Sequence, residues 1–294
     1  MNIIDTFMYF DEDMILDIRL NTLSKYVSKF IICEANYTHK GIPKKLNFDF
    51  KNFKKFKDKI EYLVLDHQPD DLKEIKIDDK SDTKKSKILD NALKRENYQR
   101  NFCLKKLKNF SEDDLVLIND LDEIPNLEKF KLNNKITIFK QNMYYYKLNL
   151  EYPNFKWMGS KICKIKHLIN PQWLRNIKSK KYPLWRIDVV LDKKKYFNLG
   201  FVENGGWHFT NIMSPKKIDH KMRNFLHHLE YEESGYDEKK LEDLIRNKIV
   251  MYDHSADKTN QDKWKGGRVL NKVKLNNLPE YIGKNLDKLK LWLD

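Results

Sequence analysis

The sequence predicts an α/β fold in a single domain, with a mixed, largely parallel central sheet flanked by helices. Strand-like and helical apolar patterns alternate through the first 125 residues, the order that builds parallel sheets. The 294 residues, 40% of them hydrophobic, suffice for one sizeable core. No Pro/Gly-rich linker and no internal repeat divides the chain.

Leu16, Leu20, Leu23 and Val27 recur at helical spacing and predict a helix over 11–27. KFIICEA (29–35) and IEYLVLD (60–66) are apolar, β-branched runs that predict strands, the first reaching Glu34 and the second ending in Asp66. Residues 68–86 are charged and turn-like, as in an exposed loop. A helix is expected from 87 to about 108, with Leu89, Ala92, Leu93, Cys103, Leu104 and Leu107 on one face. Glu96 and Arg100 share that face as an i,i+4 pair, either bracing the helix or lining a cleft.

Residues 115–119 read as a buried strand, and KITIFKQNMYYYKL (135–148) and SKICKIKHL (160–168) as further strands. Irregular strand material is expected over 183–206. Ser214 then caps a helix with Pro215 in its first turn, along which Ile218, Met222, Phe225 and Leu229 form a stripe. Another helix is expected over 237–250 and a short one near 283–293.

The formal net charge is +14, carried by 49 Lys and only 8 Arg. Base readout and bidentate phosphate binding favour Arg, so this balance describes a Lys-rich solvated surface with no specific nucleic-acid partner. The same surface leaves room for peripheral membrane contact. Cys33, Cys103 and Cys163 are far apart in apolar surroundings and read as reduced core residues. The acidic N-terminal stretch lacks the pattern of a signal peptide, and no apolar run nears the ~20 residues of a transmembrane helix. A soluble, cytoplasmic protein is expected.

The densest chemistry lies in NDLDEIP (119–125), where Asp120, Asp122 and Glu123 follow the strand within four positions. Such carboxylates repel one another unless a cation neutralises them. Mg²⁺ or Mn²⁺ suits them, bridging protein carboxylates to substrate phosphates. An EF-hand is excluded by the missing glycine turn, and neither a Walker loop nor a dinucleotide fingerprint is present. The bland alternative is a strand-to-turn junction in which Asp120 caps backbone amides. Two rivals are a metal-dependent phosphodiesterase or nuclease, and a basic nucleic-acid-binding protein without catalysis.

FMYFDEDMILDIRLNTL (7–23), IICEANYTHKGIPKKL (31–46), RENYQRN (95–101), NDLDEIP (119–125) and GGWHF (205–209) occur in the order seen in glycosyltransferase family 17. The chain resembles that family from residue 5 to about 250, with a weaker echo in LPEYI (278–282). The resemblance implies a GT-A-like single domain over 1–294: a nucleotide-binding half (1–125), an acceptor half (126–250) and a C-terminal extension (251–294). It implies a UDP-sugar donor, UDP-GlcNAc foremost, a divalent metal and inverting transfer to a hydroxyl of a glycan or glycolipid. The animal members are membrane-anchored and this chain shows no anchor, so a microbial or viral glycan or glycolipid is the expected acceptor.

On that resemblance Asp122 is the first choice as metal ligand, and Asp120 holds the ribose or a metal-bound water or joins the metal; Glu123 caps the following turn. His208 supplies a later ligand or is a satisfied core histidine. Glu34, Thr38 and Gly41 would grip the nucleotide, Lys44 or Lys45 a phosphate, and Arg95 and Arg100 the diphosphate or acceptor. Glu230, Glu203 and Asp188 are the candidates for the general base. Tyr145, Trp157 and Trp207 are candidates to stack on sugar faces.

Overall fold

The computed structural model describes residues 1–183, 188–196, 198–225, 228–255, 261–264 and 267–294. In chain order, the first half contains β1 (Ile3–Met8), α1 (Asp13–Leu23), β2 (Lys29–Ala35), β3 (Ile60–Leu65), α2 (Ser81–Phe102), α3 (Leu104–Leu107), β4 (Leu115–Ile118) and β5 (Glu123–Pro125). Next come β6 (Ile136–Phe139), β7 (Gln141–Tyr145), β8 (Leu150–Trp157), β9 (Lys161–Lys164), α4 (Pro171–Asn176), α5 (Asp188–Leu191), β10 (Leu199–Val202) and β11 (Gly206–Thr210). The chain continues through α6 (Pro215–Asn224), α7 (His228–Ser234), α8 (Glu238–Arg246), β12 (Asn271–Lys272), α9 (Glu280–Lys284) and α10 (Leu286–Leu289).

The main sheet has seven strands in the order β10-β6-β9-β4-β1-β2-β3, and only β9 runs against its neighbours. Helices cover both faces, which is why β2 reads as an unbroken apolar run. Phe30 and Ile32 point into the core shared with α1, whereas Ile31 and Cys33 point into the core shared with α3 and α4. The largely parallel sheet expected from the sequence is therefore present, and Cys33, Cys103 and Cys163 are buried free thiols.

A second sheet, order β12-β8-β7-β11-β5, was not expected. The run 135–148 is not one strand: it leaves the main sheet as β6 and enters the second as β7, bending at Lys140. The bend is pinned from a distance, with the Lys140 amide donating to the Val202 carbonyl and the Gly205 amide to the Lys140 carbonyl. The pairs β4–β5, β8–β9 and β10–β11 cross between the sheets in the same way. At the last crossing the Gly-Gly of GGWH is required: Gly206 has φ +131°, and a Cβ there would stand 2.2 Å from the Ile124 carbonyl oxygen.

Other boundaries differ from expectation. α2 begins at Ser81, inside the stretch read as loop, and its buried face carries Gln99 and Arg100 while Leu93 is 42% exposed. The Ser214 cap is present, its hydroxyl accepting from the Lys217 amide. However, α6 ends at Asn224, and Phe225, counted in the helical stripe, leaves the helix in extended conformation. Among the described residues no helix is long and apolar enough to cross a membrane.

Candidate active site

The acidic turn lies where the chain passes from β4 in one sheet to β5 in the other, and arginines build it. Arg19, fully buried on α1, pairs with both oxygens of Asp5. Its Nη1 also donates to the carbonyls of Asp120, Leu121 and Glu123 at 3.3, 3.1 and 2.6 Å. Asn119 donates to Asp5 Oδ1 at 2.7 Å and ties the end of β4 to the same anchor.

Glu123 closes the turn, its Oε2 accepting the Asp120 amide at 3.0 Å. Arg175 of α4 grips both Glu123 oxygens at 2.7 Å, and the Trp157 indole N–H donates to the same carboxylate. Asp120 is held from two sides, Oδ1 by Arg100 Nη1 at 2.7 Å and Oδ2 by Arg175 Nη2 at 2.6 Å. Burial pushes the Asp120 carboxyl up, but Arg175 and Arg100 outweigh it and leave it below its ordinary value. Two of the three clustered carboxylates are thus neutralised by guanidinium.

Asp122 is the exception. Among the described residues no guanidinium or ammonium lies within ion-pair distance of it, and its Oδ1 stands 3.5 Å from His208 Nε2. Burial raises its carboxyl, yet His208, and then Lys221 and Arg175 at longer range, bring it down to about 2. β11 carries His208 opposite Glu123 of β5. His208 Nε2 also shares a 2.8 Å hydrogen bond with Thr210 Oγ1, and its Nδ1 is buried without a hydrogen-bond partner.

Asp122 and His208 line a cavity at the carboxyl ends of β1, β2 and β4, the usual ligand edge of such a sheet. Phe10, Thr38, Lys44 and Phe225 face it as well. Lys221, also at the wall, pairs with Glu12 at 3.1 Å; burial lowers its pKa, but Glu12 and Asp122 outweigh that and raise it. His39 is a further lining residue. Its Nε2 meets Gln99 Oε1 at 3.1 Å, and Gln99 Nε2 donates to the Cys33 carbonyl. That arrangement puts the imidazole proton on Nε2 and leaves Nδ1 a bare, buried acceptor, while burial holds the ring's pKa down.

The family model described as glycosyltransferase family 17 matches residues 1–161, more than half of the chain. The chain belongs to glycosyltransferase family 17. It is 29% identical over 119 residues to the human and rat β-1,4-mannosyl-glycoprotein 4-β-N-acetylglucosaminyltransferases, and 28% identical to the mouse one. Each alignment covers 38% of this chain and 19% of the relative, so the matched stretch spans about a fifth of those proteins. The family 17 match includes Arg19, Asp120 and Asp122 and ends before Arg175 and His208.

The mixed α/β architecture, two mixed sheets flanked by helices, is consistent with a GT-A-like domain. The structure gathers Thr38, Lys44, Asp120, Asp122 and His208 around one cavity. Gly41 and Arg95 support the loop that forms its wall: Gly41 has φ +96°, Arg95 lies over it, and Arg95 Nε donates to Gln68 Oε1. Glu34 is fully buried and spends its oxygens on Lys44, Tyr62 and the amides of Asn47 and Phe48, so it anchors the loop. Lys45 is exposed.

The three proposed bases lie apart from this cavity. Glu203 is exposed and paired with Lys140; Asp188 pairs with Lys195; Glu230 pairs with Lys263 and accepts from the Trp264 indole. Tyr145 is core, and Trp207 donates to the Asn277 carbonyl. Trp157 is at the site, its ring centroid 4.8 Å from that of His208. Sequence reasoning missed Arg19, His39 and Arg175. THK in a turn-rich loop was a visible signal for His39, whereas nothing local marks the two arginines.

Proposed function

We propose that this family 17 protein is a metal-dependent, inverting glycosyltransferase. It moves a sugar, GlcNAc foremost, from a UDP-sugar to a hydroxyl of a glycan or glycolipid. The observation that carries the reading is the Asp122–His208 pair: the one carboxylate of the turn left free of arginine faces an imidazole across the cavity wall.

The carboxylate suits Mn²⁺ or Mg²⁺, both of which also take substrate phosphate oxygens, and the imidazole suits Mn²⁺ better than Mg²⁺. The arginine-free Asp122, with His208 Nε2 3.5 Å from its Oδ1, supports that fit. Asp120 fits less well, because both of its oxygens are engaged by guanidinium. Among the described residues no group of three or more His, Cys, Asp or Glu gathers as ligands, so substrate oxygens would complete the shell. When bound, the ion would offset charge developing on the departing diphosphate. Lys221 and Lys44 place two ammonium groups at the same wall, each paired with a carboxylate, Glu12 and Glu34 respectively. Phe10 and Phe225 give the cavity wall apolar faces.

Thermal-shift measurements with UDP and Mn²⁺, with and without EDTA, test the reading. Stabilisation that needs both UDP and metal is expected, followed by slow hydrolysis of one donor among UDP-GlcNAc, UDP-glucose, UDP-galactose and GDP-mannose. Indifference to UDP, with cleavage of plasmid DNA or RNA, would favour the nuclease instead.

A further inference from the structure

We propose that a pocket on the β6–β10 edge of the main sheet binds the phosphate group of a phosphomonoester. It shares no lining residue with the Asp122 cavity and does not depend on the glycosyltransferase reading above. Its volume is about 280 Å³. That is close to the lower end of the ~300–1,000 Å³ of ordinary ligand pockets, so it admits a phosphate with a small substituent.

Charge selects the ligand class. Lys129 and Lys131, from the segment between β5 and β6, line the pocket. Among the described residues neither has a carboxylate within ion-pair distance. Glu203, the one carboxylate among the described lining residues, is already matched by Lys140 at 2.5 Å. Two ammonium groups are therefore left over, close to the charge of a phosphomonoester at neutral pH. Lysine suits that group as a point charge, with no need of a planar fork. Lys181 adds a further cation on the same side: its Nζ lies 5.6 Å from the centre of the Phe201 ring, and Phe201 also lines the pocket.

The floor supplies a neutral donor. Thr137 sits in β6 between the fully buried Ile136 and Ile138, where a strand covered on both faces ordinarily carries an aliphatic side chain. It is 3% exposed, and its hydroxyl has no hydrogen-bond partner. A buried hydroxyl left unbonded is a standing cost to the fold, and a phosphate oxygen would relieve it. Gly200 of β10 lies in register beside Thr137. A Cβ there would stand 3.0 Å from Thr137 Oγ1 and 2.5 Å from Asn134 Oδ1, so both oxygens border the room that glycine leaves, without bonding to each other. Among the described residues the Asn134 side chain bonds only Asn198, at 2.7 Å and in the open. Asn134 is thus a cover that can turn aside, giving an entering phosphate the Thr137 hydroxyl below and the two ammonium groups above.

The test uses the full chain at about 150 mM NaCl, where exposed lysines alone hold anions weakly. One arm titrates glucose 6-phosphate by calorimetry. The other floats the protein with phosphatidylcholine vesicles, with and without phosphatidylinositol 4-phosphate, and the same variants are run in both. Saturable binding is expected in at least one arm: calorimetry alone assigns the pocket to a soluble ligand, and flotation that needs the phosphorylated lipid assigns it to a headgroup. Lys129→Ala combined with Lys131→Ala is expected to weaken binding about 10-fold or more. Thr137→Val is expected to weaken it about 3- to 10-fold without lowering the melting temperature, because valine removes an unbonded hydroxyl. Lys221→Met, which alters the Asp122 cavity instead, is expected to change affinity less than about 2-fold. Binding in neither arm, wild-type affinity in the lysine or threonine variant, or loss of binding in Lys221→Met would each overturn the site.

Discussion

Arg19 and Asp5 form a fully buried ion pair, Nη2 to Oδ1 at 2.6 Å and Nε to Oδ2 at 2.8 Å, beneath the acidic turn. Arg19→Met leaves the Asp5 carboxylate buried without its cation and strips a donor from three turn carbonyls. Removing one partner of a buried pair costs about 3–5 kcal/mol. Urea unfolding should show a loss of that size, and Asp5→Leu combined with Arg19→Met should recover part of it. Full stability in the single variant would refute the anchoring role.

Asp120 and Asp122 should separate cleanly by substitution. Asp122→Asn leaves every arginine contact of the turn in place but removes the carboxylate that faces His208, so the UDP–Mn²⁺ stabilisation should vanish and turnover should fall about 10²–10³-fold, beyond the loss of ligand-free stability that removing this ionised carboxylate brings. Asp120→Asn weakens two guanidinium contacts and should lower stability by roughly 1–3 kcal/mol even without ligand. Identical behaviour of the two variants would contradict the division of roles described for the turn.

Lys161 supplies a pH dependence. Its ammonium, buried on β9, donates to the carbonyls of Arg175 and Ile177. Burial, reinforced by Arg175 and opposed by Glu123, lowers its pKa from 10.5 to about 7. The unfolded chain therefore binds the proton more tightly than the native one between about pH 7 and pH 10.5. Stability from this group rises with pH across that window and levels off at its minimum below the folded pKa, where both states hold the proton. Denaturation midpoints of Lys161→Met against wild type, followed from pH 6.5 to 10, should show a smaller rise in the variant.

Gly41→Ala tests the loop over the cavity. The position has φ +96°, and the added methyl would meet the Arg95 guanidinium at 2.7 Å. A cost of about 1–3 kcal/mol is expected from the backbone conformation alone, with weaker UDP binding because Thr38 and Lys44 share the loop. Unaltered stability together with unaltered UDP affinity would show that the loop tolerates the change.

Local pattern made much of this visible. β2 was readable to the residue because burial on both faces leaves an uninterrupted apolar run, and the Ser214 cap because its chemistry is confined to four positions. The cluster at 120–123 stood out because like charges so close together demand explanation. What was hidden depends on closure over long distances. The bend at Lys140 has no local mark, since its pins are Val202 and Gly205. The expectation that a cation balances the cluster was sound in physics, but Arg175, 55 positions from Asp120, already balances two of its members. Phe225 kept the helical period and still left the helix, so period alone could not assign it to the cavity.

The hydrogen bond from Arg19 to the Asp120 carbonyl spans 101 positions, and that span governs how the site comes into being. A nascent chain must carry Asp5 and Arg19 through synthesis of α2 and β4 before their partners at the turn emerge. Transplanting residues 119–123 onto another scaffold would therefore move the charges without their shape, because the mould for that turn is cast near the amino terminus.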